Sequence, residues 1–217
     1  MNVHSLCDQM PPQSDSAPDR QAQILRAAMV CFAKCGFHQT SMHDISEEAG
    51  ISVGLIYRYF ASKEAVIAAL AEEHKKELSG LLERARSAPT LLDSLEILLT
   101  AHCCEDQPQL HCAFVVDLFA EAGRNPSIAN LVRDVLETGM AGVTDVIARA
   151  PEMQDAPHGL TPREVTELIF AAARGSMMRD VLEHAQVSAA ERRDRQLKVV
   201  RQLWRLLFDH ANEPALA

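Results

Sequence analysis

The residues with the most specific chemistry in this 217-residue chain lie between Ser41 and Lys63, in SMHDISEEAGISVGLIYRYFASK. Ser41, Ser52 and Ser62 each stand where a helix can begin, with a hydroxyl able to accept a backbone N–H. Asp44, three positions after Ser41, completes a short version of the capping box. Gly50 closes the first helix, Ala49 is small enough for a close crossing, and Ile45, Ile51, Ile56 and Phe60 turn inward. That is what a helix-turn-helix needs. Val53, Gly54, Tyr57 and Arg58 then face outward on the second helix, whose end at Ser52 offers unpaired N–H groups to a phosphate or base edge. Lys63 opens the next helix, where its charge and the helix dipole act together on one phosphate.

A second group of reactive types is His102-Cys103-Cys104 with His111-Cys112. Neighbouring residues on a helix point about 100° apart, so Cys103 and Cys104 cannot both face one ion without unwinding. Reduced thiols used as packing are the favoured reading, and no metal or cofactor is expected; a metal or thiol-redox sensor is the alternative. Asp117 and Glu121 are one helical turn apart and Arg124 follows by three, which gives either an ion-pair ladder or a carboxylate aimed at a cationic ligand. Arg174, between Ala171 to Ala173 and Gly175, meets either an anionic ligand or a buried partner such as Asp117. With His111, Phe114, Met140, Phe170 and Met177, Asp117 and Arg174 form the expected lining of a ligand pocket. There is no Gly-rich phosphate loop, no Cys inside a catalytic motif and no carboxylate pair with an evident task, so no catalytic residue is assigned. An enzyme built on the Cys/His cluster is the rival class.

The elements that position these residues are helices. Ala and Leu together number 55 against 31 for Val, Ile and Thr, a balance that favours helix over strand. Ile24, Ala27, Ala28, Cys31 and Phe32 form a helical stripe that Gly36 ends. Beyond Pro89, long segments at 90–104, 111–124, 127–150, 161–184 and 188–210 read as helices, two of them opened by capping boxes at Thr161/Glu164 and Ser188/Glu191. The expectation is an all-α chain of about nine helices: a polar, Pro-containing disordered tail at 1–18, a DNA-binding unit at 19–65, and a larger helical unit at 66–217. Residues 20–65 carry five basic and four acidic side chains, while residues 66–217 carry 16 basic and 23 acidic, so only the first structured unit escapes the acidic excess behind the net charge of −9. No apolar run approaches the roughly 18 residues of a membrane span, and a cytoplasmic protein without membrane contact is expected.

The residues from Ile24 to Glu64 resemble the TetR/AcrR family of bacterial transcription regulators. The resemblance rests on Ile24-Leu25, Ala27-Ala28, Phe32, Gly36, Thr40, Ile45, Ala49-Gly50, Ser52, Gly54, Ile56-Tyr57, Tyr59-Phe60 and Ser62-Lys63-Glu64. It implies a homodimer that binds a palindromic double-stranded operator and a C-terminal domain that takes a small-molecule effector and releases the DNA. It also implies phosphate contacts from Thr40, Ser41, Tyr59 and Lys63, and base-facing positions at His43, Val53, Gly54, Leu55 and Tyr57, with Arg58 as an extra contact. A repressor is the first expectation and an activator the alternative. For the dimer, Leu197, Val200, Leu203, Trp204 and Leu207 form a stripe that, with Val165, Ile169 and Ala172, is expected to pair across a two-fold axis as a four-helix bundle.

Overall fold

The computed structural model describes residues 17–101, 108–153, 159–182 and 187–208. Within them the chain forms α1 (Ala17–Gln39), α2 (Met42–Glu48), α3 (Val53–Tyr59), α4 (Lys63–Arg86), α5 (Leu91–Thr100), α6 (Pro108–Ala122), α7 (Pro126–Ala148), α8 (Pro162–Leu182) and α9 (Ala189–Phe208), with one 3-10 turn at Pro151–Met153. No strand occurs among the described residues. The all-α expectation holds. Helix ends follow local chemistry: Ser41, Ser52, Ser62, Thr90 and Asn125 cap α2, α3, α4, α5 and α7 with side-chain oxygens that accept backbone N–H bonds. Most of the expected tail and the cluster His102-Cys103-Cys104 lie outside the described residues, although Ala17 and Pro18 belong to α1.

Two apolar cores organise the packing. The first joins Ile24, Ala28 and Phe32 of α1 to Ile45 of α2, Ile56 of α3, and Val66 and Ile67 of α4, and it continues into Phe114 of α6 and Ile128 of α7. The helix-turn-helix therefore shares its interior with the helices that follow it, and the packing does not stop at residue 65. The second core gathers Leu82 and Ala85 of α4, Leu95 of α5, Ile147 of α7, Ile169 of α8 and Val200 of α9. α4 and α7 run through both. Their crossing is close: a Cβ on Gly142 of α7 would run into the side chain of Leu82, which would have to move to admit a larger residue.

The second core corrects the buried half of the expected dimer stripe. Val165, Ile169, Val200 and Leu207 are buried within the single chain, Trp204 packs against the same core with its ring tilted against Phe208 at a centroid distance of 4.7 Å, and Ala172, Leu197 and Leu203 are half-buried. Helical period alone finds an apolar stripe but not the neighbour that covers it, and here the neighbours are α5, α7 and the other member of the α8–α9 pair. The large apolar side chains left exposed on these two helices are Leu168, Met178, Leu182 and Leu206.

Complete capping boxes open α2, α8 and α9, where Asp44, Glu164 and Glu191 accept from the backbone N–H and the hydroxyl of Ser41, Thr161 and Ser188 respectively. Those bonds, the backbone one first, hold all three carboxyls below their ordinary values of 3.8, 4.5 and 4.5. A depressed carboxyl stabilises the fold above its unfolded value, and the contribution is lost as pH falls through its folded value. An Asp44→Asn/Glu164→Gln/Glu191→Gln variant is therefore expected to be less stable than the parent at neutral pH and equally stable once all three groups are protonated. Denaturant titrations from neutral to strongly acid pH check this; a stability gap that persists in acid would contradict it.

Candidate nucleic-acid interface

α2 and α3 meet through buried Ile45 and Ile56, with Ala49 buried at the crossing and Gly50 at φ 65° making the turn. Gly50 donates to Glu47 O and Ile51 to Ser46 O at 3.0 Å each, which closes the end of α2 on itself. With the apolar faces inside, the rest of α3 is open. Tyr57 is 54% exposed, Arg58 is exposed, and a Cβ placed on Gly54 would meet nothing within 4 Å. Ser52 and Ser41 are exposed at the starts of α3 and α2, so Ser52, Gly54, Tyr57 and Arg58 stand accessible as the sequence suggested. Val53 and Leu55 are half-buried, and Tyr59 packs its ring against the first core. His43 is exposed, 3.8 Å from Glu47 along α2.

Two of the expected phosphate contacts have other work. Thr40 is 2% exposed, and its hydroxyl donates to Gly36 O at 2.9 Å and lies 3.2 Å from Cys31 O. It closes the end of α1 and has no surface to offer a phosphate. Lys63 Nζ donates to Phe37 O at 2.6 Å and lies 4.5 Å from the centre of the Phe37 ring. Its charge is held on the last carbonyls of α1, where a cation is favoured by the unpaired C=O groups.

The expected pocket residues divide. Phe114 stacks on Phe32 with centroids 6.1 Å apart, and Asp117 Oδ2 accepts from the Phe37 N–H at 3.0 Å. Both belong to the packing of α6 on α1, which corrects the pocket assignment for these two and removes Asp117 as a partner for Arg174. Arg174 is exposed and lies over the Phe170 ring at 5.9 Å; Phe170 in turn covers Gly139, and Met140 is buried beside it on α7. Met177 is half-buried. His111 faces His74 of α4 with ring centroids 6.1 Å apart. A cavity of about 310 Å³ lies elsewhere, between the start of α5 and the end of α7, lined by Arg86, Leu91, Val146, Arg149 and Glu152 among others, and none of the expected pocket residues lines it.

Period and motif did not point to the joint around Phe37. Glu121 is 1% exposed and pairs with His38 at 2.8 Å as well as with Arg124 at 3.3 Å. The Glu121–Arg124 rung was visible as an i,i+3 spacing. The bonds to Phe37 and His38 span about eighty residues of sequence, and no local signal carries them.

Residues 24–70 match the model of the tetR family of bacterial regulatory proteins. The transcriptional regulator UidR of Escherichia coli is 30% identical over 144 residues, which cover 66% of this chain and 69% of that relative. The chain belongs to the tetR family. It is a transcription regulator with a helix-turn-helix at its N-terminal side. Among solved structures, Salmonella enterica GusR superposes with a TM-score of 0.66 at 27% identity over 86% of this chain and 98% of that one. Bacillus subtilis FadR, solved with stearoyl-CoA, shares the fold with a TM-score of 0.67 at 19% identity, covering 84% and 96% of the two chains.

Thr40→Val separates the two roles assigned to that residue. Losing the buried hydroxyl is expected to cost about 0.5–1.5 kcal/mol of stability, with DNA affinity unchanged at temperatures where the variant is fully folded. Denaturant melts paired with DNA titrations check it; unchanged stability with weakened DNA binding would restore the phosphate contact.

Proposed function

We propose that the protein is a repressor that binds a palindromic operator as a homodimer and is released by a small-molecule effector. The open face of α3, capped at Ser52 and bearing exposed Gly54, Tyr57 and Arg58, is the observation that carries this reading. Residues 19–65 are the recognition unit and 66–217 the effector and dimerisation unit, although the two share the first core. Ser41, Ser52 and Arg58 serve phosphates or base edges; His43, Val53, Gly54, Leu55 and Tyr57 approach the bases, and Tyr59 contributes its hydroxyl at the rim. This face is poor in bidentate donors, so discrimination leans on thymine methyl contacts, the close approach allowed at Gly54, and DNA shape.

For the two-fold partner, the exposed apolar face of α8 and α9 replaces the buried stripe. Leu168, Met178, Leu182 and Leu206 are 45%, 47%, 72% and 69% exposed, on the two helices at the far end of the chain from α3. Two recognition helices on one dimer reach successive major grooves about 34 Å apart. The effector is assigned to the region between α4, α6, α7 and α8, near His111, Met140, Phe170, Arg174 and Met177. Arg174 favours an anionic effector, and the acyl-CoA bound by FadR is of that class. No helix of the described residues is long and apolar enough to cross a membrane, and we place the protein in the cytoplasm with its DNA, without a catalytic role.

Sequencing the genomic fragments retained by the purified protein at physiological salt tests the reading: a sharp palindrome is expected, and uniform weak retention would contradict it. Because cationic side chains on the recognition face are few, Arg58→Ala is expected to lower the slope of log affinity against log salt by about 0.9 per protomer. An unchanged slope would remove Arg58 from the phosphates. Leu182→Glu/Leu206→Glu is expected to give a folded monomer in sedimentation at micromolar protein, and a persisting dimer would place the interface elsewhere.

A further inference from the structure

The last turn of α1 is gripped from three sides. At Gly36 the backbone leaves the helix with φ 77° and ψ 165°, a conformation open to glycine. The peptide groups of the next residue then part company: the Phe37 N–H goes to Asp117 Oδ2 of α6 at 3.0 Å, while the Phe37 C=O receives Lys63 Nζ of α4 at 2.6 Å. One residue on, His38 Nε2 lies 2.8 Å from Glu121 Oε2, also of α6. A Cβ on Gly36 would make only an ordinary contact, 3.4 Å from Asp117 Oδ1, so what the position asks of glycine is its conformation. Two residues beyond His38, Thr40 ties back to Gly36, and Ser41 then caps α2.

We propose that Asp117 and Glu121 of α6 fix the angle at which the recognition unit leaves the rest of the chain, and so determine which spacing of operator half-sites the dimer accepts. The inference rests on the operator-binding dimer proposed above. Its physical ground is that apolar packing is tolerant of small rotations whereas hydrogen bonds are directional. Phe32 stacked on Phe114 keeps α1 against α6, but it does not set the angle of the turn that leads into α2. The carboxylates do. Asp117 fixes the Phe37 N–H, and Glu121 is buried at 1% exposure with His38 Nε2 and the Arg124 guanidinium as its polar partners, so moving His38 away would strip a buried carboxyl group of one of them. Both residues therefore act as positioning residues for DNA contacts made elsewhere.

The test is a series of operators whose half-sites are moved apart or together one base pair at a time, titrated with the full-length protein. The parent is expected to prefer one spacing over its neighbours by about tenfold, because a rigid dimer must otherwise twist or bend the DNA. Asp117→Ala is expected to flatten that profile to within about threefold while thermal unfolding shows a folded protein, since a loosened turn lets each unit find its half-site. Asp117→Asn keeps an oxygen acceptor for the Phe37 N–H and is expected to restore the preference. His38→Ala, an exposed change that leaves the buried groups in place, is expected to flatten the profile in lesser degree. A general loss of stability would weaken all spacings equally and leave the preference intact. The inference is overturned if Asp117→Ala keeps the parental profile or if the Asn and Ala variants behave alike. Failure of the parent to bind any operator would instead overturn the operator-binding reading, and this inference with it.

Discussion

The structure depends on the backbone N–H and C=O of Phe37. A helix end normally leaves carbonyls to solvent; this one bends at Gly36 and delivers its next N–H to α6 and its next C=O to α4. Lys63 is the first residue of α4, so the same side chain that begins the longest helix among the described residues holds the end of α1. α4 runs from that point down to Leu82 and Ala85 in the second core, so one helix belongs to both cores. The joint combines aromatic packing, which is tolerant, with charge-assisted hydrogen bonds, which are not.

Local signals made the helix-turn-helix legible in the sequence. Ser41 with Asp44, Ala49-Gly50 and Ser52 act over a few residues, and the inward positions Ile45, Ile56 and Phe60 are all buried. The caps at Thr161 and Ser188 were equally plain and fall where expected. Partnership was not legible. The stripe Val165, Ile169, Val200 and Leu207 is apolar in either a dimer face or an internal seam, and periodicity is blind to the difference. Asp117 could be seen to need a partner, but the partner is a backbone N–H eighty residues earlier. Thr40 and Lys63 carry the types that bind phosphate; the structure buries Thr40, while half-buried Lys63 also ties the end of α1.

The recognition surface and the body of the chain divide the electrostatic work. The acidic excess lies mainly in residues 66–217, away from α3, while the recognition unit is close to neutral. Such a surface gains little from indiscriminate attraction to phosphate. On the proposed reading it relies on the fit of Val53, Gly54 and Tyr57 and on the angle at which they are presented, which returns the burden to the joint at Phe37.

Amide hydrogen exchange at Phe37 reads that joint most directly, by NMR on the parent and on Asp117→Ala. Slow exchange at Phe37 in the parent, lost in the variant while Ile56 of α3 and Ile147 of α7 remain protected, is expected if Asp117 holds the turn. A Phe37 amide that exchanges at the rate of an open loop in the parent, or that is equally protected in both proteins, would contradict it.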